Sequence, residues 1–138
     1  MLSLKGLNMS DKFKISLAQL NATVGDLSGN SEKVMEAWEI ARDQRSDLIA
    51  FPELFITGYN PQDLILKTAF QKAATSSIEQ IATACSQGPA IAIGGPFCDD
   101  DKLYNSYYIL ADGKIQAVIK KHHLPNEEVF DEVRLFSS

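Results

Sequence analysis

Three short apolar segments, Phe13 to Leu20, Asp47 to Phe51 and Ala90 to Gly94, alternate with two longer stretches whose apolar residues recur at helical spacing. That alternation restricts the chain to few architectures, because sheets and one-sided helices must bury their apolar faces against each other in layers. Val34, Ala37, Trp38 and Ala41 predict one helix face, with Glu36, Glu39 and Arg42 turned to water. Asn30 or Ser28 is placed to cap that helix, and Glu32 near its start suits the helix dipole. A second helix is predicted from Thr68 to Cys85, with Ala74, Ile78, Ile81 and Cys85 on one side and Gly88-Pro89 closing it. Between them Thr57 to Pro61 reads as a turn-rich loop and Gln62 to Leu66 as one helical turn. The third apolar segment runs into Gly94-Gly95-Pro96, and Asp99-Asp100-Asp101 reads as a solvated turn. Tyr104 to Leu110 and Lys114 to Ile119 flank Ala111-Asp112-Gly113, the pattern of a hairpin. Strand, helix, strand, helix, strand and hairpin together predict an α/β fold with a mixed sheet.

Length and charge narrow the classes of function. The 138 residues suffice for one domain with a sizeable core. Residues 1–12 read as a flexible N-terminus and 13–138 as the folded part, which ends as though in mid-domain. The net charge of −5 is spread along the chain, which speaks against a nucleic-acid partner. No apolar run is long enough to span a bilayer, and the start lacks the apolar core of a secretory signal. Two cysteines make no disulfide framework, so a cytoplasmic location is expected.

Glu53 follows Pro52 at the end of an apolar strand, where ligands collect in open α/β sheets. It fits either an acid capping a local turn or a general base. Lys120 and Lys121 close a later strand, where neighbouring side chains diverge, so one can enter a cleft while the other stays in solvent. Both also fit surface charges; a lysine in the cleft would stabilise a developing oxyanion. His122 and His123 diverge on extended backbone with no third ligand nearby, so no metal site is expected. Cys85 reads as a packed thiol. Cys98 reads as a loop residue beside three aspartates, whose charge disfavours a thiolate, and is the only local candidate for a nucleophile. Gly94-Gly95 lacks the lysine and hydroxyl residue of a phosphate loop. Trp38, Phe51, Phe70 and Phe97 read as core rather than a stacking platform.

Three blocks carry a family resemblance. The first is Ile15 to Asn21 with Val24-Gly25-Asp26. The second is Phe51-Pro52-Glu53-Leu54 with Thr57-Gly58-Tyr59 and Pro61-Gln62-Asp63-Leu64. The third is Tyr104-Asn105-Ser106 followed by Lys121, Leu124-Pro125-Asn126 and Val129 to Arg134. Together they resemble the nitrilase-like carbon–nitrogen hydrolases, and among these the N-terminal glutaminase domain of glutamine-dependent NAD synthetases. The resemblance implies the N-terminal half of an α-β-β-α sandwich and a Glu-Lys-Cys triad that hydrolyses the amide of glutamine to supply ammonia for NAD synthesis. By position it assigns the general base to Glu53 and the lysine to Lys121, which stands three residues before Leu124. Glu132 matches a supporting acid, and Tyr59 and Glu127 fall at supporting or substrate-binding positions. Glu127 stands where the family usually has tyrosine, and Leu135 where it usually has an aromatic residue. The family cysteine lies beyond Arg134-Leu135-Phe136, in the half of the domain that does not form part of these residues. The chain by itself is therefore expected to be inactive. No cofactor is expected in this segment; ATP and Mg belong to the synthetase domain of the longer proteins. A non-catalytic remnant or association partner, pairing as a homo-oligomer over a half-built sheet, is the alternative. A different amidase of the same superfamily is a third reading.

Overall fold

A computed structural model describes residues 12–127 and 130–138. The expected flexible N-terminus, apart from Lys12, lies outside the described residues, as does Val129 of the lysine block. The elements in chain order are β1 (Ile15–Leu17), α1 (Leu27–Asp43), β2 (Leu48–Ala50), a 3₁₀ turn (Gln62–Leu66), α2 (Thr68–Ala84), β3 (Ala90–Asp99), β4 (Lys102–Ala111), β5 (Lys114–Lys120) and α3 (Glu132–Leu135). They form one five-stranded sheet in the order β1-β2-β3-β4-β5. β1, β2 and β3 run parallel, and β4 and β5 return antiparallel. The fold is α/β with a mixed sheet, consistent with the nitrilase-like αββα sandwich.

The core forms where the two helices meet one face of the sheet. Val34, Trp38 and Ala41 of α1 and Ala74, Ile78 and Ile81 of α2 pack on Ile49, Ile91, Ile93, Tyr108 and Leu110, all buried. Right-handed crossovers between neighbouring parallel strands put both helices on the same side. Trp38 turns its indole N–H to the Pro89 carbonyl at 2.9 Å, so its one polar atom is satisfied inside the core. The opposite face exposes apolar side chains at both edges of the sheet, Ile15 and Leu17 on β1 and Ile119 on β5.

Four local expectations change. The cap of α1 is Asp26, whose carboxylate accepts from the Gly29 amide at 2.9 Å, rather than Asn30 or Ser28. Asn30 is instead fully buried and ties two loops together: its side chain bonds both Thr23 main-chain groups at 2.8 Å and the Ile56 carbonyl at 3.0 Å. β1 is shorter than the apolar run 13–20, because only Ile15 to Leu17 find partners on β2. β3 continues through Gly94-Gly95-Pro96 to Asp99, since β4 pairs with it along that length while β2 has already ended. Proline is tolerated on such an edge, where no second strand needs its missing amide. Cys98 therefore lies on a strand, not in a loop. The acidic turn is tighter than its composition implies. Asp100 and Asp101 both have positive φ (46° and 63°), the backbone of a two-residue hairpin turn that matches strand twist.

Candidate active site

Glu53 owes its position to one close backbone approach. The Phe51 amide donates to the Ala92 carbonyl at 2.8 Å, extending the parallel ladder one residue past β2. Pro52 ends it, and the chain folds back over β3, where the Ile56 amide reaches the Gly94 carbonyl at 3.2 Å. A Cβ on Gly94 would lie 2.7 Å from the Glu53 Cα and would also strike the Leu54 amide nitrogen, so only glycine lets the two segments pass. Leu54 (φ +50°) points away from Glu53 into a second small core with Ile65, Leu135 and Phe136.

The same small core brings in the C-terminal segment. Leu135 and Phe136 anchor α3, the Ser137 amide donates to the Leu103 carbonyl at 2.7 Å, and Arg134 bridges Asp131 at 2.6 Å and Asp63 at 2.5 Å. Glu132, the first residue of α3, is thereby buried beside the end of β5. Lys121 Nζ lies between the two acids, 2.6 Å from Glu53 Oε1 and 3.0 Å from Glu132 Oε2. Burial pulls the Lys121 pKa down, but the hydrogen bonds that its ammonium donates to Glu53 and Glu132 outweigh it and hold the pKa above its ordinary value. Lys120 points the other way, bonds Asp99 at 2.6 Å and sits 4.3 Å from the centre of the Tyr104 ring.

Asn105, a member of the third block with no role assigned to it above, donates to Glu53 Oε1 at 2.5 Å. Its sequence signals were its place in the Tyr104-Asn105-Ser106 block and a polar side chain on a predicted hairpin strand. Glu53, Asn105, Tyr107, Ile119 and Lys121 border an open cavity of about 320 Å³. Tyr107 also donates to the Phe51 carbonyl at 2.6 Å, steadying the strand that leads to Glu53. On its other side Glu53 borders a recess of about 100 Å³ lined by Asn21, Ala22, Phe55 and Tyr59. The Tyr59 phenol is raised above its ordinary pKa by burial, then by Glu132 and Glu53, with Lys121 opposing. Tyr59 thus lies within the field of the three charged groups. Glu127 is exposed in the loop after β5 and lines neither cavity. His122 and His123 are exposed with ring centres 4.9 Å apart. Among the described residues no group of three or more His, Cys, Asp or Glu is placed to hold a metal ion.

Neither cysteine borders Glu53. Cys85 is buried at the end of α2, and burial, then Glu39 against an opposing Arg42, pushes its thiol up to about 11. Cys98 lines a separate cavity of about 700 Å³ between α2 and the β3–β4 hairpin, and donates to Gln71 Oε1 at 3.1 Å. Its pKa is also raised, by burial rather than by the neighbouring aspartates. With a disulfide-forming thiol reagent, the native chain is expected to yield one reactive thiol, Cys98, and Cys85 only after unfolding. Simultaneous reaction of both in the native state would contradict this packing.

An acid, an ammonium and a second acid converge on one cavity, and comparison with known proteins bears on what that means. Residues 14–138 match the carbon–nitrogen hydrolase family. The chain belongs to that family. Within it, the chain is 50% identical over 128 residues to the glutamine-dependent NAD(+) synthetase of Rhodobacter capsulatus, covering 93% of this chain and 23% of that protein. The structure of a glutamine-dependent NAD(+) synthetase from Cytophaga hutchinsonii superposes with a TM-score of 0.86 at 28% identity, over 91% of this chain and 22% of that one. An amidase from Nesterenkonia sp. shares the fold, with a TM-score of 0.77 at 23% identity over 91% of this chain and 47% of its own. Within the family the chain is closely related to the N-terminal glutaminase domain of glutamine-dependent NAD synthetases. This carbon–nitrogen hydrolase chain spans less than a quarter of the length of curated relatives that it matches.

Proposed function

We propose that this chain supplies the acid–base pair of a site that hydrolyses the amide of glutamine, and that the ammonia released serves NAD synthesis. The observation that carries the reading is the Lys121 ammonium held between Glu53 and Glu132 at the mouth of an open cavity. In this reading Glu53 takes the proton of a thiol, the resulting thiolate attacks the amide carbon, Lys121 stabilises the oxyanion, and Glu53 returns that proton to the departing nitrogen, so that ammonia leaves and a thioester remains. Glu53 then takes a proton from the water that cleaves the thioester. Tyr59 borders the recess beside Glu53 and is the substrate-binding candidate nearest the reacting groups. The thiolate comes from sequence beyond these residues, because Cys85 and Cys98 both lie away from the Glu53 cavities.

The chain by itself is expected to release no ammonia from glutamine above background. In a longer protein that adds the nucleophile, Glu53→Gln is expected to lower ammonia release by about 10²–10⁴-fold. Ammonia release by the isolated chain that disappears with Glu53→Gln would overturn the assignment of the nucleophile. Unchanged release by the longer variant would overturn the role of Glu53. The two free thiols fit a reducing, cytoplasmic setting.

A second reading rests on the exposed Ile15, Leu17 and Ile119. Full burial of such a side chain contributes about 1.5–3 kcal/mol, and the exposed fraction of that at these three positions favours pairing of the isolated chain with another copy over the open sheet face. A monodisperse monomer in size-exclusion chromatography at high concentration would argue against it.

A further inference from the structure

Glu53 carries two oxygens, and the site treats them differently. Oε1 accepts from Lys121 Nζ at 2.6 Å and from Asn105 Nδ2 at 2.5 Å. Oε2 has no hydrogen-bond partner among the described residues. The Lys121 ammonium alone does not fix the plane of the carboxylate, since it is a compact charge on a flexible stem. Asn105 can, because its side chain is short and 2% exposed, on a strand paired with neighbours on both sides. Its main-chain carbonyl also accepts from the Lys121 amide at 2.8 Å, so one residue ties down both partners. The orientation of its amide follows from its surroundings. Glu53 Oε1 and, at 3.4 Å, Glu132 Oε2 are both acceptors, so Nδ2 must face them. A neutral amide donor of this kind holds an oxygen without competing for the proton that a base must move.

We infer that Asn105 is a positioning residue that clamps Glu53 Oε1 and so leaves Oε2 as the oxygen that exchanges protons with the substrate. The assignment of a proton-transfer role to Glu53 rests on the function proposed above; the clamp itself does not. Without it, Glu53 swings between rotamers, its contact with Lys121 becomes intermittent, and the proton-transfer oxygen is no longer defined.

The clamp is testable in the 138-residue chain by NMR titration of its lysine ammonium groups. Three charged or titratable groups face the Lys121 ammonium: Glu53 from the loop after β2, Glu132 from α3 and Tyr59 across the recess. In Asn105→Ala the Lys121 midpoint is expected to move down, in the direction set by Glu53→Gln, while the Lys120 midpoint stays with Asp99. General loosening of β4 and β5 would move both lysines, and that result would overturn the clamp, as would an unmoved Lys121. If Glu53→Gln also leaves Lys121 unmoved, the Glu53–Lys121 pairing falls with it. If only the Asn105 variant is silent, the clamp alone falls. Asn105→Ser gives the same readout should the alanine variant fail to fold. The unmodified chain adds a third measurement. One Asn105 side-chain amide proton is expected far downfield and slow to exchange; an ordinary shift with solvent-limited exchange would overturn the proposal.

Discussion

Gly94→Ala is expected to lower the stability of the chain by about 2–3 kcal/mol and to uncouple Glu53 from Lys121. The added Cβ would meet the main chain rather than the tip of a side chain: the Glu53 Cα and carbonyl carbon both lie 2.7 Å from it. Relief requires the segment after Pro52 to lift off β3, which breaks the bond from the Ile56 amide to the Gly94 carbonyl and withdraws Glu53 from the cavity. The neighbouring Gly95→Ala makes a strict control. It carries the same change in strand propensity, but its Cβ would meet Ile78 Cδ1 at 2.8 Å and Ile56 Cγ2 at 3.0 Å, on the helix-covered face. Ile78 Cδ1 can rotate away. Chemical denaturation should rank Gly94→Ala well below Gly95→Ala, and the Lys121 titration should move only in the former. Equal stability of the two would show that the segment carrying Glu53 does not depend on this approach.

Lys121→Ala is expected to destabilise the fold by about 2–3 kcal/mol, somewhat less than removal of one partner from a fully buried ion pair. The loss falls on Glu132, whose side chain is 4% exposed and whose remaining described partner is Asn105 at 3.4 Å. Glu53→Gln should cost less, because the Glu53 side chain is 43% exposed and water can replace the ammonium. Adding Glu132→Gln to Lys121→Ala should recover part of the loss, since the stranded charge is then gone, and a double-mutant cycle measures the coupling. The pH dependence has a definite sign. Because the folded Lys121 is raised above the ordinary value of 10.5 by its two acids, its contribution is fully present below that value and disappears as pH rises through the folded value. The gap between the parent chain and Lys121→Ala should therefore narrow only at strongly alkaline pH. Strict additivity in the cycle would mean that Lys121 and Glu132 do not stabilise each other.

Much of the fold was legible because it depends on short-range periodicity. The stripe Val34, Ala37, Trp38, Ala41 identified α1, and Asp112-Gly113, both at positive φ, made the second hairpin readable. The misread places are those where a partner remote in sequence decides. Asn30 has the chemistry of a cap but is captured by Thr23 and Ile56, and Gly94-Gly95-Pro96 has the composition of a loop but is held in a strand by β4. Asn105 was visible as a member of the Tyr104-Asn105-Ser106 block, without a role; that role needs two acids that arrive from other elements.

The sequence by itself determined the layer architecture, the family and the divergence of Lys120 from Lys121, because each follows from local pattern or from blocks of matching residues. The resemblance also singled out Lys121 by its place before Leu124, but the distances at which it meets Glu53 and Glu132 were set only in three dimensions. Glu53 and Lys121 stand 68 positions apart, and Glu132 a further 11 from Lys121. Their meeting depends on the side-chain-free crossing at Gly94 and on a second core that docks α3 beside β5. Packing between distant segments, not propensity along the chain, sets those distances.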